Sequence, residues 1–335
     1  MKRISILIIS ILINFSIFGQ SKRYTFSEPK MGSPLNITMY SNDSVQAKAL
    51  AQKSFQIADS LNLIFSDYVE NSELSLLSTK VRSDTFVPVS PALWDILQRS
   101  VIASKQCQGA FDITVGSIVK LWRKARKEKV FPDKNSLKNS LQSVGYQNIS
   151  LDSIHHSVKI LQPNILLDLG GIAKGYLAQT IVDYCKSQGI DKVLIDAGGD
   201  LAMSGDNWRI AVSIPNSEEL MEGFLILQNQ AVATSGNMYQ YVEIEGKRYS
   251  HIVNPHTGLG LTHQRNVTVI APDGATADWL ATAFSVLSVR KALKLIKTMP
   301  NCELLMVETR KGKLKKWFFG EHFKMKGAGA KVESK

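Results

Sequence analysis

Apolar positions along this chain switch repeatedly between a period of two and a period near 3.6, which predicts a mixture of strands and amphipathic helices. Residues 23 to 41 read as two strands broken by the stretch from Pro29 to Pro34. Leu35 to Tyr40 alternates apolar and polar, as a half-buried strand does. Asp43-Ser44 is expected to cap a long helix from Val45 to about Ile64, which Phe65-Ser66-Asp67-Tyr68 ends. Asn71-Ser72-Glu73-Leu74-Ser75 starts a new turn. A helix from Pro91 to Gln106 carries Leu93, Ile96, Leu97, Val101 and Ile102 on one face. Asp112 and Thr114 are expected to cap a helix running on through Leu121-Trp122. A loop and a short helix fill 130–147, and strands are expected around 148–151, 157–161 and 165–169.

The second half follows the same logic. A helix from about Ala173 to Ser187 precedes a strand at Lys192–Ile195, and strands dominate from Trp208 to Val253. Asn266–Ala271 is a further strand, and Pro272-Asp273-Gly274 turns into a helix from about Ala275 to Leu287. A helix at about Val289–Thr298 and two strands close the fold.

The stretch Asp168-Leu-Gly-Gly-Ile-Ala-Lys-Gly-Tyr176 joins an expected strand to a helix. Gly170 and Gly171 would let a ligand approach the backbone, and Lys174 falls in the first turn, where free N–H groups favour an anion. A carboxylate, a bare backbone and a lysine there suit a phosphate with its metal ion. The bland alternative is a turn with a surface lysine. Asp196-Ala-Gly-Gly-Asp200 puts a second glycine pair at a strand end, and the small residues from Ala231 to Asn237 would admit something bulky. His251 stands before the Asn254-Pro255-His256-Thr257-Gly258 turn, either at a cleft or as a structural histidine. Asp278 and Thr282, four apart, share one helical face and offer hard oxygen ligands for Mg2+, although such a pair also arises by chance.

The chain of 335 residues, 44% hydrophobic, has enough apolar material for one large domain or two intimate ones. Its formal net charge of +11 permits nucleic acid, anionic lipid or a phosphate ligand as partner. The densest basic run, Lys120 to Lys129, lacks the aromatic interleaving of a single-strand binder, so no nucleic acid is expected. Cys107, Cys185 and Cys302 are too few and too widely spaced for a metal knuckle and read as buried thiols, with one disulfide left open. Lys2-Arg3, an apolar run from Ile4 to Phe18, then Gly19-Gln20 make a secretory signal with no lipobox cysteine, so residues 1–20 are read as removed on export.

These blocks, in this order, resemble the ApbE family of FAD:protein FMN transferases over roughly residues 30 to 310. They are Met31-Gly-Ser33, Ser72-Glu-Leu-Ser75, Gly109-Ala-Phe-Asp-Ile-Thr-Val-Gly116, Leu121-Trp122, the stretch 168–176, Ala197-Gly-Gly-Asp200, Thr234-Ser-Gly236, Ser250-His251 through Gly258, and Ala277 to Ala283. The resemblance implies an α+β fold of antiparallel sheets flanked by helices, T-fold-like, with an FAD cleft between two sub-domains. It implies a single domain over 21–325 and a flexible tail at 326–335. It also implies Mg2+-dependent transfer of FMN from FAD onto a Ser or Thr hydroxyl of an acceptor protein, releasing AMP. By position, Gly171 (through its carbonyl), Asp278 and Thr282 would hold the metal. Met31, Ala110, Phe111, Asp112, Asp168, Lys174 and His251 or Ile252 would contact FAD. His251 would be the general base, with a pKa near neutrality.

The expected acceptor is a membrane redox complex subunit on the periplasmic side, with loose membrane association left open. Two departures stand out: Asn254 replaces the family's usual aspartate, and Trp279 is bulkier than the family's small residue. The competing readings are an FAD pyrophosphatase, against which Tyr68 speaks, and a non-catalytic exported flavin-binding protein.

Overall fold

The computed structural model describes residues 21–80, 85–212, 224–236, 240–310 and 312–324. The expected export signal, the C-terminal tail and Asn237 lie outside the described residues. An open antiparallel sheet of eight strands forms the centre. In spatial order its strands are Lys22–Lys30, Ser33–Ser41, Val193–Ala197, Leu201–Ser204, Ala231–Gly236, Gln264–Ala271, Glu303–Arg310 and Lys313–Phe319. Smaller pairings, Tyr241–Ile244 with Lys247–Ser250 among them, lie outside this sheet. The expected α+β class is therefore the one adopted.

The period of two decides what each face of the sheet buries. Val267, Val269 and Ala271 join Leu304 and Met306 in the main core beneath the helices. Ile270, Leu305 and Val307 point the other way, to a second cluster with Trp208, Leu225 and Phe323. A third apolar cluster stands apart, built from Ile118 and Trp122 of the helix Gly116–Glu128, Leu137 of the helix Lys134–Gln142, and Val242, Ile244 and Tyr249 of the small hairpin. The chain thus has a sheet-and-helix body and a smaller module with its own core.

Several elements fall where the periodicity puts them. The helix Ser44–Phe65 begins at Asp43, whose carboxylate accepts from the Val45 and Gln46 N–H groups. The helices Pro91–Gln106 and Ala173–Ser187 match their expected spans. The three cysteines are buried free thiols.

Four expectations are corrected. Residues 165–169 are extended and bury Ile165, Leu167 and Leu169, but they pair with no strand. Their backbone is instead held by the Gly116 N–H to Leu166, the Ile113 carbonyl to Asp168 and the Ser78 hydroxyl to Leu167. Pro29 and Pro34 do not break the first two strands; they face each other in register, and the turn is confined to Met31-Gly32, both at positive φ. The strand Lys22–Lys30 is an edge, where a missing proline N–H is tolerated. Asp112 caps a 3-10 turn at Ile113–Val115 before the helix Gly116–Glu128 starts, and Thr114 binds Asp112 rather than the helix. Ile102 is 52% exposed, so the buried face of its helix is narrower than its apolar stripe. The strand Leu201–Ser204 was not foreseen.

Candidate active site

Two glycines bring the site's acidic helix into place. A Cβ at Gly175 would overlap the Gly274 carbonyl, and a Cβ at Gly274 would overlap that of Gly175. The helices Ala173–Ser187 and Gly274–Val286 therefore touch backbone to backbone. At that contact the Gly175 N–H donates to Asp278 Oδ2 at 3.1 Å. Gly175 is the third residue of its helix, so its N–H is one of those a helix start leaves without an intrahelical partner, and Asp278 supplies one. Among the described residues no backbone N–H bonds to the Gly171 carbonyl. Gly171 also lies against Thr282, since a Cβ there would sit 2.9 Å from Oγ1, and against the Phe111 ring, at 3.3 Å.

Gly175→Ala is expected to force these helices apart. Overpacking of this kind costs roughly 3 kcal/mol, read as a Tm lower by about 5 °C or more. A variant melting within about a degree of the parent would show that the two backbones are not in contact.

Asp278, Thr282 and Gly171, the three expected metal ligands, thus lie at one corner, with a carboxylate, a hydroxyl and a backbone carbonyl to offer. All are hard oxygen donors of the type Mg2+ prefers. No cluster of three or more His, Cys, Asp or Glu suited to a metal occurs among the described residues. A metal at this corner would need further oxygens from a ligand. Asp278 is 6% exposed, and its burial pushes its pKa up to about 7 against the pull of the Gly175 N–H and Lys174.

Lys174 serves the same corner from the start of its helix. Its charge acts on Asp278, Asp200 and His251. The turn of the second glycine pair closes over it: Gly198 and Gly199 take φ of 69° and 100°. A Cβ at Gly198 would overlap the Ser33 hydroxyl and come within 3.1 Å of Lys174 Nζ. This turn also supplies Asp200, which burial, with the nearby Asp278, holds well above the ordinary carboxylate range. The sequence alone points to no role for Asp200. Its signal was the acid that follows the glycine pair, and only the hairpin geometry ties it to Lys174. The small residues Ala231 and Ala233 face the main core, where the helix Gly274–Val286 packs across their strand.

Asp168 ends its extended segment by accepting from the Gly170 N–H at 2.7 Å and from Arg123 Nη2 at 3.1 Å. Arg123 also pairs with Asp67, and its guanidinium lies 3.9 Å from the centroid of the Tyr68 ring, which is 75% exposed. Burial and then Asp67 raise the Asp168 pKa, while Arg123 and the Gly170 N–H lower it. Arg123, Asp67 and Arg126 were not singled out from the sequence. Within a run of mixed basic residues, only the i,i+3 spacing of Arg123 and Arg126 marks an inward face.

His251 comes from the smaller module. Trp122 Nε1 donates to the Gly258 carbonyl at 2.8 Å and so fixes the turn that follows His251. Within that turn Asn254 Oδ1 accepts the His256 N–H at 2.9 Å, the bond an aspartate would accept there too. His251 Nδ1 lies 3.1 Å from the Gln240 carbonyl. A carbonyl only accepts, so Nδ1 carries the proton and neutral His251 presents an unprotonated Nε2. Burial lowers its pKa, and Arg126 and Lys174 add to the effect. Ile252 is buried, its N–H held by the Ser250 hydroxyl at 3.0 Å.

The remaining expected FAD contacts divide. Phe111 lines the corner, beside Gly171 and at 6.3 Å centroid distance from Trp279, with the small buried Ala110 next to it. Met31 occupies the hairpin turn that ends at Ser33, beside Gly198. Asp112 is turned to other work. It is 5% exposed, and its oxygens accept from Thr114 and from the Tyr146 N–H.

A model of the ApbE family matches residues 31–306. An FAD:protein FMN transferase of Klebsiella pneumoniae (strain 342) is 32% identical over 292 residues, covering 86% of this chain and 90% of that protein. One from Vibrio cholerae is 30% identical over 297 residues, covering 85% and 88%. The solved flavin transferase ApbE from Vibrio cholerae matches with a TM-score of 0.80 at 27% identity, covering 89% of this chain and 97% of that one. The apo form of Pseudomonas stutzeri flavinyl transferase ApbE matches with a TM-score of 0.79 at 26% identity, covering 89% and 95%.

Proposed function

The chain belongs to the ApbE family, and from that membership we propose that it is a Mg2+-dependent FAD:protein FMN transferase. It moves the FMN half of FAD onto a Ser or Thr hydroxyl of an acceptor protein. The observation that carries the reading is the corner of Asp278, Thr282 and the Gly171 carbonyl beside Lys174, with His251 in the field of that lysine.

The acceptor oxygen forms a bond to the FMN phosphorus, and the bond from that phosphorus to the bridging oxygen breaks. AMP leaves with that oxygen. Asp278, Thr282 and the Gly171 carbonyl would hold Mg2+, which would supply charge neutralisation and polarisation of the diphosphate oxygens. Lys174 Nζ adds fixed positive charge where negative charge grows as the bridge breaks. His251 Nε2 takes the proton of the acceptor hydroxyl, and the Gln240 carbonyl holds the ring in the tautomer that can do so. FAD would lie between the sheet-and-helix body, which supplies Asp278 and Lys174, and the smaller module, which supplies His251.

The test uses FAD labelled in its flavin half, Mg2+ and an acceptor fragment with a single Ser or Thr site. Flavin fluorescence retained on the denatured acceptor, with one AMP per flavin attached, is the expected result. AMP release with only free FMN formed would make the protein a pyrophosphatase, and no AMP at all would make it a flavin binder.

We further propose export to the periplasmic side, with a membrane redox complex subunit as acceptor and a loose hold on the membrane. The basic and apolar pattern of residues 2–18 supports export. Among the described residues no helix is long and apolar enough to cross a membrane. Mature protein from the cell envelope is expected to begin near Gln20 or Ser21 by mass spectrometry; an intact Met1 on most molecules would overturn this.

A further inference from the structure

One arginine nitrogen near the site has no partner among the described residues. Arg126 Nη1 is buried without a hydrogen-bond partner, the one such side-chain nitrogen or oxygen among the described residues. Its neighbour one turn earlier is the contrast: Arg123 is paired with both Asp67 and Asp168. Burial disfavours the charge of Arg126, the neighbouring Arg123 guanidinium opposes it as well, and no ion pair with a carboxylate offsets them among the described residues. A charged N–H kept out of water without a partner is costly unless something completes it, even on a half-buried side chain. Arg126 stands on the helix that Trp122 ties to the turn after His251, and its charge reaches His251. His251 is therefore in the field of two cations, Lys174 from the body and Arg126 from the smaller module. A neutral ring would leave that field unbalanced, whereas an extended anion would satisfy both ends.

We propose that Arg126 is a second anchor for the FAD diphosphate, its unpartnered Nη1 binding one phosphate oxygen while Lys174 and the acidic corner hold the other end. The assignment rests on the transferase reading. It adds a residue of the smaller module to phosphate binding, so FAD itself would bridge the two cores. Arginine suits the task because its planar fork presents two donors to one phosphate.

Binding to purified full-length protein tests it, at fixed ionic strength and saturating Mg2+. ADP carries the diphosphate without the flavin, and riboflavin carries the flavin without phosphate. Arg126→Gln is expected to weaken ADP and FAD by the same factor, about 10- to 100-fold, the range of one charge-assisted bond. Riboflavin should be unaffected. Arg126→Lys keeps the charge but not the fork; should the glutamine variant fold poorly, a loss of ADP affinity of about threefold or more in the lysine variant supports the proposal. Unchanged ADP affinity in both variants overturns it. So does a loss confined to riboflavin, which would put Nη1 on a flavin carbonyl, or one confined to the acceptor's KM, which would put it on an acceptor carboxylate. A parent protein that binds neither FAD nor ADP would overturn the transferase reading together with this assignment; binding of both by the parent, with unaltered variants, sinks the assignment alone.

Discussion

Asp278→Ala is expected to lower Mg2+-dependent FMN transfer about a thousandfold. The carboxylate is the only charged donor in a corner whose other members are a hydroxyl and a backbone carbonyl. Lewis-acid assistance of this type is worth several kcal/mol of transition-state stabilisation, and each ~1.4 kcal/mol is a factor of ten. The substitution also strands the Gly175 N–H at the contact between two helices. Asp278→Asn separates these effects, because its amide oxygen can still accept that N–H while the charge is gone. It should fold like the parent and still show little response to Mg2+. Thr282→Ala removes a neutral ligand and should cost less, roughly tenfold, one good hydrogen-bonding or coordinating contact. Rates at increasing Mg2+ for the three variants check this order, and an Asp278→Ala enzyme within a few-fold of the parent would place the metal elsewhere.

The burial of Asp278 explains why this corner depends on its ligands. A carboxylate with its pKa pushed up to about 7 is only partly ionised at neutral pH, and burial, with Asp278 nearby, holds Asp200 well above the ordinary carboxylate range too. Two desolvated acids share one lysine. That arrangement is poor for stability by itself and good for receiving a divalent cation together with a diphosphate.

Much of this was legible in the chain, and the parts that were not have a common cause. Local signals survived: Asp43 before its helix, the Pro91 start, and the i,i+4 pair of Asp278 and Thr282. These depend on residues a few positions apart. Residues 165–169 misled because alternation reports which side chains are buried, not what the backbone bonds to, and here the partners are the start of a helix and a serine. Arg123 and Arg126 were hidden in a basic run that resembles a solvated face. Only the position of Asp67, Asp168 and Tyr68, brought from distant segments, distinguishes the paired arginine from the unpaired one. Asp112 shows a nearer miss: it caps as its local sequence suggests, but caps the 3-10 turn Ile113–Val115 rather than the helix that follows.

His251→Ala is expected to slow FMN transfer by about 10²- to 10⁴-fold, the usual worth of general-base assistance, with FAD binding largely intact. The histidine is prepared for that task by three features. Its Nδ1 proton is committed to the Gln240 carbonyl, so the neutral ring offers Nε2 as a base. Burial lowers its pKa, and the positive charges of Arg126 and Lys174 lower it further. The sign follows directly: a base with a depressed pKa stays unprotonated to lower pH than free histidine does. In kcat/KM for FAD, which reports the free enzyme, the acid limb should therefore have its midpoint below the ordinary 6.5, with little change above it. The alanine variant should lose that limb along with the rate. A variant that transfers FMN at nearly the parental rate would hand the proton to another group. Asp112 is the poorer substitute, because Thr114 and Tyr146 already occupy its oxygens. If FAD affinity collapsed with the rate, His251 would be a binding contact and the role of base would pass elsewhere.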